Sequence, residues 1–263
     1  MAEHSLSPMK RTIVGVQFMF VAFGSTVLVP ILCNLDPAVA LLAAGLGTLL
    51  FHLVTGGKVP IYLGSSFAFI APIIKATELY GLSGMFCGLV SVGIVYMLMG
   101  LLVKTFGIGF IKKLFPPIVI GPVIILIGLS LASAGVNMAK ANWILALVSL
   151  AVAVAASIWG KGIVKLIPVV FGAVAGYIVS LLFFRESMDF SPVAQASWFA
   201  IPKLSHMSFS WQAILFMAPV AIAPIIEHVG DMYAISSIAG KDFIKDPGLH
   251  RTLLGDGLSC CLA

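Results

Sequence analysis

The stretch that decides the fold is Val59-Pro60-Ile61-Tyr62-Leu63-Gly64-Ser65-Ser66-Phe67-Ala68-Phe69-Ile70-Ala71-Pro72. It is apolar enough to lie in a membrane, yet it cannot be a plain helix. As a continuous helix, residues 59–74 reach only about 24 Å at 1.5 Å per residue, against a hydrocarbon core about 30 Å thick. Pro60, Gly64 and Pro72 each argue against regular helix, Val59, Ile61 and Tyr62 favour an extended strand, and Ser65 or Ser66 is a good N-cap for a short helix behind it. A helix that begins inside the membrane leaves backbone N–H groups free at mid-depth. Such groups must be buried in protein or line a cavity, where they suit carbonyl oxygens or an anionic group of a ligand. A packing kink satisfied by neighbouring helices is the competing reading.

The rest of the chain places this break in a membrane. Of 263 residues, 60% are hydrophobic and 10% are charged, where ordinary globular chains carry roughly 25% charged residues. Mean hydropathy is +1.13. The sequence predicts an all-α polytopic membrane protein with eight spans at about 13–32, 38–54, 59–74, 84–103, 115–134, 142–159, 166–184 and 211–239. The first run is too long for a signal-peptide core and has no small-residue cleavage site.

The net charge of +5 reports topology and not nucleic acid. With a cytoplasmic N-terminus (residues 1–12), the inside segments hold Lys10, Arg11, Lys58, Lys104, Lys112, Lys113, Lys161, Lys165, Lys241, Lys245 and Arg251. The outside segments hold Lys75, Lys140, Arg185 and Lys203. That asymmetry is the positive-inside bias of a multi-pass protein in the cell inner (plasma) membrane. Cys33, Cys87, Cys260 and Cys261 have neither metal-ligand nor redox spacing and read as small hydrophobes. No P-loop, zinc-protease or serine-nucleophile motif is present, so no enzyme, cofactor or metal is expected.

Seven spans, residues 13–184, precede a longer polar stretch at 185–210, read as an extracytoplasmic linker; residues 211–263 carry an eighth span, a cytoplasmic loop and the start of a ninth. An odd number of spans in one unit makes a second copy enter the membrane inverted, a common transporter architecture. The final Gly257-Leu258-Ser259-Cys260-Cys261-Leu262-Ala263 reads as the opening of a further apolar helix, and the chain is expected to be truncated after the eighth span. Gly172–Gly176 has the small-xxx-small spacing of close helix packing.

The eighth span, Trp211–Ala239, is interrupted by Glu227-His228-Val229-Gly230-Asp231. An ionised carboxylate costs at least about 2.5–3.5 kcal/mol at mid-bilayer, so two of them imply a use or a partner. Glu227 and Asp231 lie four apart on one helical face. Their repulsion favours retention of a proton by one of them, which suits proton exchange. His228, about 100° round the helix, is read chiefly as a hydrogen-bonding partner of a neighbouring helix, with proton carriage as the second reading.

Together with Phe23-Gly24-Ser25-Thr26-Val27-Leu28-Val29-Pro30, Leu114-Phe115-Pro116-Pro117 and Lys245-Asp246-Pro247-Gly248-Leu249-His250-Arg251, these segments resemble the nucleobase–cation symporter family, also called the xanthine/uracil permease family, and within it the branch that carries uracil in bacteria. The resemblance implies an inverted 7+7 repeat transporter fold, in which the short broken strand–helix third span pairs with a counterpart in span ten. It implies that Glu227 hydrogen-bonds the pyrimidine ring, that the backbone at Phe67 contacts the base, and that Ser25 lines the pocket. It further implies that uracil is imported by proton symport, with Asp231 and Glu227 carrying the coupling. Asp231 stands where similar permeases can carry a histidine, which loosens both the coupling ion and the choice of base. A xanthine or other purine permease and a truncated, non-transporting fragment are the alternatives. The expected partners are thus a nucleobase, protons and the lipid bilayer, without nucleic acid; a homodimer is left open.

Overall fold

The computed structural model describes residues 26–114, 116–161, 164, 168–195, 202 and 205–262. Residues 26–32 are helical; the remainder of the predicted first span lies outside the described residues. The helices that follow are α1 (Pro37–Thr55), α2 (Ile70–Phe106), α3 (Ile108–Leu114), α4 (Pro117–Ser130), α5 (Ala132–Ala139), α6 (Trp143–Trp159), α7 (Pro168–Phe183), α8 (Trp211–Met217), α9 (Ile222–Ala239) and α10 (Leu249–Leu262). No β-strand occurs among the described residues.

Four stretches are long and apolar enough to cross a membrane: Pro37–Thr55, Phe67–Phe106, Ile118–Ala139 and Trp211–Ala239. Trp143–Trp159 and Pro168–Phe183 are shorter apolar helices. This is a polytopic membrane protein by composition and element length. The span count of eight is not reached on length alone.

Local chemistry sets the element ends. Asp36 caps α1 by accepting from the Ala38 N–H at 2.8 Å, and Pro37 fills the first turn where no N–H is needed. Trp211–Ala239 is helical throughout, with a short 3₁₀ turn at Ala218–Ala221 around Pro219 joining α8 to α9.

Two boundaries are corrected, and one expectation is met. The predicted third and fourth spans, 59–74 and 84–103, are not separated by a loop: helix continues from Ile70 to Phe106 and breaks at one residue, Gly81, with φ 68° and ψ 171°. A side chain with a Cβ rarely adopts that φ, so glycine allows a sharp redirection there without a connecting segment. The segment 59–65 is extended, as expected, and among the described residues no second strand pairs with it. Its side chains alternate, Val59 buried, Pro60 exposed, Ile61 partly buried, Tyr62 exposed, Leu63 partly buried and Gly64 exposed, as an extended chain requires. Its backbone is satisfied instead by α1: the Leu63 N–H donates to Thr48 Oγ1 at 3.0 Å, while the Thr48 hydroxyl also lies 2.7 Å from the Ala44 carbonyl. The last helix begins at Leu249 and not near Gly257. Its first two turns, expected as loop, are helical although His250, Arg251 and Asp256 dilute the apolar pattern.

The described residues pack as two units. The described residues between 26 and 131 and between 202 and 262 form one, and those between 132 and 195 form the other. In the second-named unit, α6 and α7 meet through the Gly172–Gly176 pair. A Cβ on Gly172 would lie 2.6 Å from the Ser149 carbonyl oxygen, so only glycine lets the backbones approach.

In the other unit α10 is a hub with three faces. Gly255 and Ser259 face α1, where Ser259 Oγ sits 2.7 Å from the Gly47 carbonyl. Leu253, Gly257 and Cys261 face α2, and a Cβ on Gly257 would stand 2.7 Å from the Gly93 carbonyl oxygen. Thr252 and Asp256, one turn apart, face His228 of α9.

Candidate functional site

The site lies wholly within the unit formed by the described residues of 26–131 and 202–262. A cavity of about 680 Å³ is bounded by α1, the extended segment 61–66, the start and middle of α2, α9 and α10. Its walls include Phe69, Phe86 and Tyr96, and its polar groups include Ser65, Ser66, Glu227, His228, Asp231 and Asp256. Asp36 adds a further carboxylate from the cap of α1, and among the described residues no lysine or arginine lines the cavity. Such a cavity favours hydrogen-bond donors and disfavours free anions.

Glu227 is held where the extended segment gives way to helix ahead of α2. The Ser66 hydroxyl donates to Glu227 Oε2 at 2.8 Å and accepts from the Ala68 N–H at 3.2 Å. Ser66 therefore caps the turn at Phe67–Phe69 and fixes the carboxylate with one oxygen. The other Glu227 oxygen is not engaged by Ser66. Asp231, one turn further along α9, is exposed and also lines the cavity.

His228 is buried and turns away from that carboxylate face. Its Nδ1 is 2.8 Å from Asp256 Oδ2 and its Nε2 is 3.0 Å from Thr252 Oγ1. The Tyr96 ring of α2 meets the imidazole edge-to-face, with centroids 6.2 Å apart. His228 thus joins α9 to α10, the cross-helix bonding expected of it.

The predicted site residues divide as follows. Glu227 and Asp231 line one cavity. Phe67 opens the short turn directly after the lining residues Ser65 and Ser66 but is not itself a lining residue. Ser25 lies outside the described residues. Its neighbour Thr26 is fully buried, and Thr26 Oγ1 has no hydrogen-bond partner among the described residues.

Sequence reasoning missed Asp256, Thr252 and Tyr96, and took Ser66 for a cap alone. The signal for Asp256 was present: it interrupts Leu253-Leu254-Gly255-Asp256-Gly257-Leu258 as Glu227 interrupts its own apolar run. Placing the last helix too late hid it. Among the described residues no group of three His, Cys, Asp or Glu is arranged to hold a metal ion.

Comparison with known proteins gives a consistent answer. The permease family model, that of the xanthine and uracil permeases, matches residues 9–263. A "Probable uracil permease" of Haemophilus influenzae is 47% identical over 266 residues, covering 98% of this chain and 64% of that protein. The uracil permease of Bacillus caldolyticus is 42% identical, covering 95% and 61%. That of Escherichia coli K12 is 38% identical, covering 97% and 62%. The chain therefore spans a little under two thirds of the length of these relatives.

Proposed function

Since the chain belongs to the permease family whose model it matches, we propose that it builds the nucleobase site of a membrane transporter that imports uracil by proton symport. A permease moves its ligand unchanged, so the site's task is recognition and release rather than bond chemistry.

The observation that carries the reading is the Ser66–Glu227 hydrogen bond at the wall of the cavity. It joins the two features that lipid-facing helices do not have, a break in the third span and an acid inside the eighth. Uracil offers ring N–H donors and carbonyl acceptors on a flat ring. A carboxylate held by one oxygen keeps the other for a ring N–H, and a charge-assisted bond of that kind contributes about 1.5–3 kcal/mol. The aromatic walls suit the faces of the ring. Phe67 and Ser25 complete the proposed contacts, Phe67 through its backbone at the start of the turn. Asp231, next to Glu227 on the same face and open to the cavity, is proposed to exchange the coupled proton, with Glu227 as the interacting group.

The proposed architecture is fourteen spans in two inverted seven-span repeats, with residues 13–184 as the first repeat, 185–210 as an extracytoplasmic linker and 211–263 opening the second. The N-terminus is cytoplasmic and the membrane is the inner (plasma) membrane; the basic-residue asymmetry of the connecting segments supports that orientation.

Competition binding tests the substrate. Radiolabelled uracil bound to the protein in nanodiscs should be displaced by unlabelled uracil at lower concentration than by xanthine. Tighter displacement by xanthine would make this a purine permease, and displacement by neither would remove the nucleobase reading.

A further inference from the structure

His228, Asp256 and Thr252 lie outside the proposed contacts with the base, yet their geometry is more specific than packing requires. Thr252 Oγ1 is 3.0 Å from His228 Nε2 and 3.0 Å from the Leu249 carbonyl oxygen. A hydroxyl has one proton to donate, so it serves one of these two acceptors at a time. When it donates to Leu249, Nε2 must itself carry a proton and donate to Thr252. With Nδ1–H directed at the Asp256 carboxylate, 2.8 Å away, the ring is then an imidazolium. When the hydroxyl turns to donate to Nε2, the ring is neutral and keeps only its Nδ1–H, still directed at Asp256. Both ring nitrogens and the Thr252 hydroxyl keep a partner in both arrangements, no heavy atom has to move, and the two differ by one proton.

We propose that His228, Asp256 and Thr252 form a proton-holding element of this cavity, loaded and unloaded at His228 Nε2 by reorientation of the Thr252 hydroxyl. The pair of His228 and Asp256 is neutral overall when loaded and carries one negative charge when unloaded. A neutral ring protonated at Nε2 beside a protonated Asp256 has the same proton count as the loaded arrangement. Thr252 is fully buried, and the His228 and Asp256 side chains are 5% and 24% exposed, so Asp256 is the member of the trio most open to the cavity.

The groups that bear on the imidazole come from every packed element. Tyr96 of α2 meets its edge, Asp256 and Thr252 bond it from α10, Glu227 and Asp231 flank it on α9, and Cys260 of α10 and Asp36 at the start of α1 line the same cavity. Three of these carboxylates, Glu227, Asp231 and Asp256, line the cavity, and among the described residues no lysine or arginine lines it. A proton taken up by the trio therefore changes the charge that the cavity presents to a ligand. That consequence, unlike the trio itself, rests on the reading of the cavity as the substrate site.

The test is nitrogen NMR of ¹⁵N-histidine protein in nanodiscs from about pH 5 to about pH 8, the range in which histidine charge changes, with the His228 signal assigned by its loss in His228→Gln. The expected result is an imidazolium at low pH that becomes a neutral ring protonated on Nδ1. Asp256→Asn, which keeps an oxygen for the Nδ1–H, should leave the ring neutral at a pH where the wild-type ring is still charged. Thr252→Val should do the same, and Thr252→Ser should restore the wild-type titration. A ring protonated on Nε2 alone throughout, or one indifferent to Asp256→Asn, would overturn the proposal. Uracil affinity in the same samples should vary with pH, up to about tenfold per pH unit for one linked proton, and Asp256→Asn should flatten that dependence. A wild-type affinity independent of pH while the ring titrates would overturn the link to the ligand. A ring that titrates as described in a protein that binds no nucleobase would support the proton element and overturn the substrate reading instead.

Discussion

The hydroxyl of Ser66 donates to the carboxylate of Glu227 at 2.8 Å, across 161 positions of sequence. One oxygen thereby ties the helix start after an extended membrane segment to the acid inside another span. Ser66→Ala removes that donor and the cap on the Ala68 N–H together. A lost cap costs about 0.5–2 kcal/mol of stability, and an unfixed carboxylate should weaken uracil binding by roughly tenfold, at the lower end of a charge-assisted bond. Equilibrium binding of labelled uracil checks this, with Ser66→Thr expected to recover most of the affinity. Equal affinity in wild type and Ser66→Ala would mean that the ligand does not depend on the held carboxylate.

The docking of α10 depends on bare backbone. A Cβ on Gly257 would stand 2.7 Å from the Gly93 carbonyl oxygen and 2.9 Å from the Tyr96 and Met97 side chains. Gly257→Ala should therefore destabilise the protein by about 1–3 kcal/mol, the usual cost of overpacking. Gly45→Ala, with nothing within 4 Å of the new Cβ, should be neutral or slightly stabilising. Thermal unfolding in detergent compares the two. Similar melting temperatures would show that α10 does not pack on α2 in this way.

Topology follows from the charge distribution. Gln195 and Lys245 are both exposed, and the proposed orientation puts them on opposite sides of the membrane. In a background free of native cysteine, a membrane-impermeant maleimide added to cells should label Gln195→Cys and spare Lys245→Cys. The reverse pattern would overturn the orientation.

Much of this was legible in the sequence because lipid makes polar chemistry conspicuous. Glu227 and Asp231 stood out by cost alone, and their spacing put them on one face. Gly64 and the two prolines marked the break, and Trp211–Ala239 had the right ends. What was hidden depended on partners distant in sequence. The strand expected at 59–65 is satisfied by the side chain of Thr48, which no local pattern announces. The loop expected after the third span collapses to Gly81, because one positive-φ residue can do the work of several. Asp256 escaped notice because three polar residues blurred the start of α10, and a helix whose neighbours cover it on three faces does not need a strong apolar stripe of its own.

Asp231 separates proton exchange from recognition. It is open to the cavity but Ser66 engages Glu227, not Asp231. Asp231→Asn should leave uracil affinity at a fixed pH within a few-fold while flattening part of the pH dependence of uptake. Uptake into vesicles at several external pH values, alongside binding, reads both. An unchanged profile would remove Asp231 from the coupling and leave Glu227 or the His228–Asp256 pair.

The central claim is that Glu227 accepts a hydrogen bond from the base, and uracil binding to Glu227→Gln tests it most directly. The substitution keeps the shape and a partner for Ser66 but exchanges a charged acceptor oxygen for an amide donor. Loss of one charge-assisted hydrogen bond of about 1.5–3 kcal/mol predicts binding weaker by roughly 10- to 150-fold in equilibrium measurements on the purified protein, with folding intact by thermal unfolding. Affinity retained at the wild-type level in a folded Glu227→Gln protein would contradict the account.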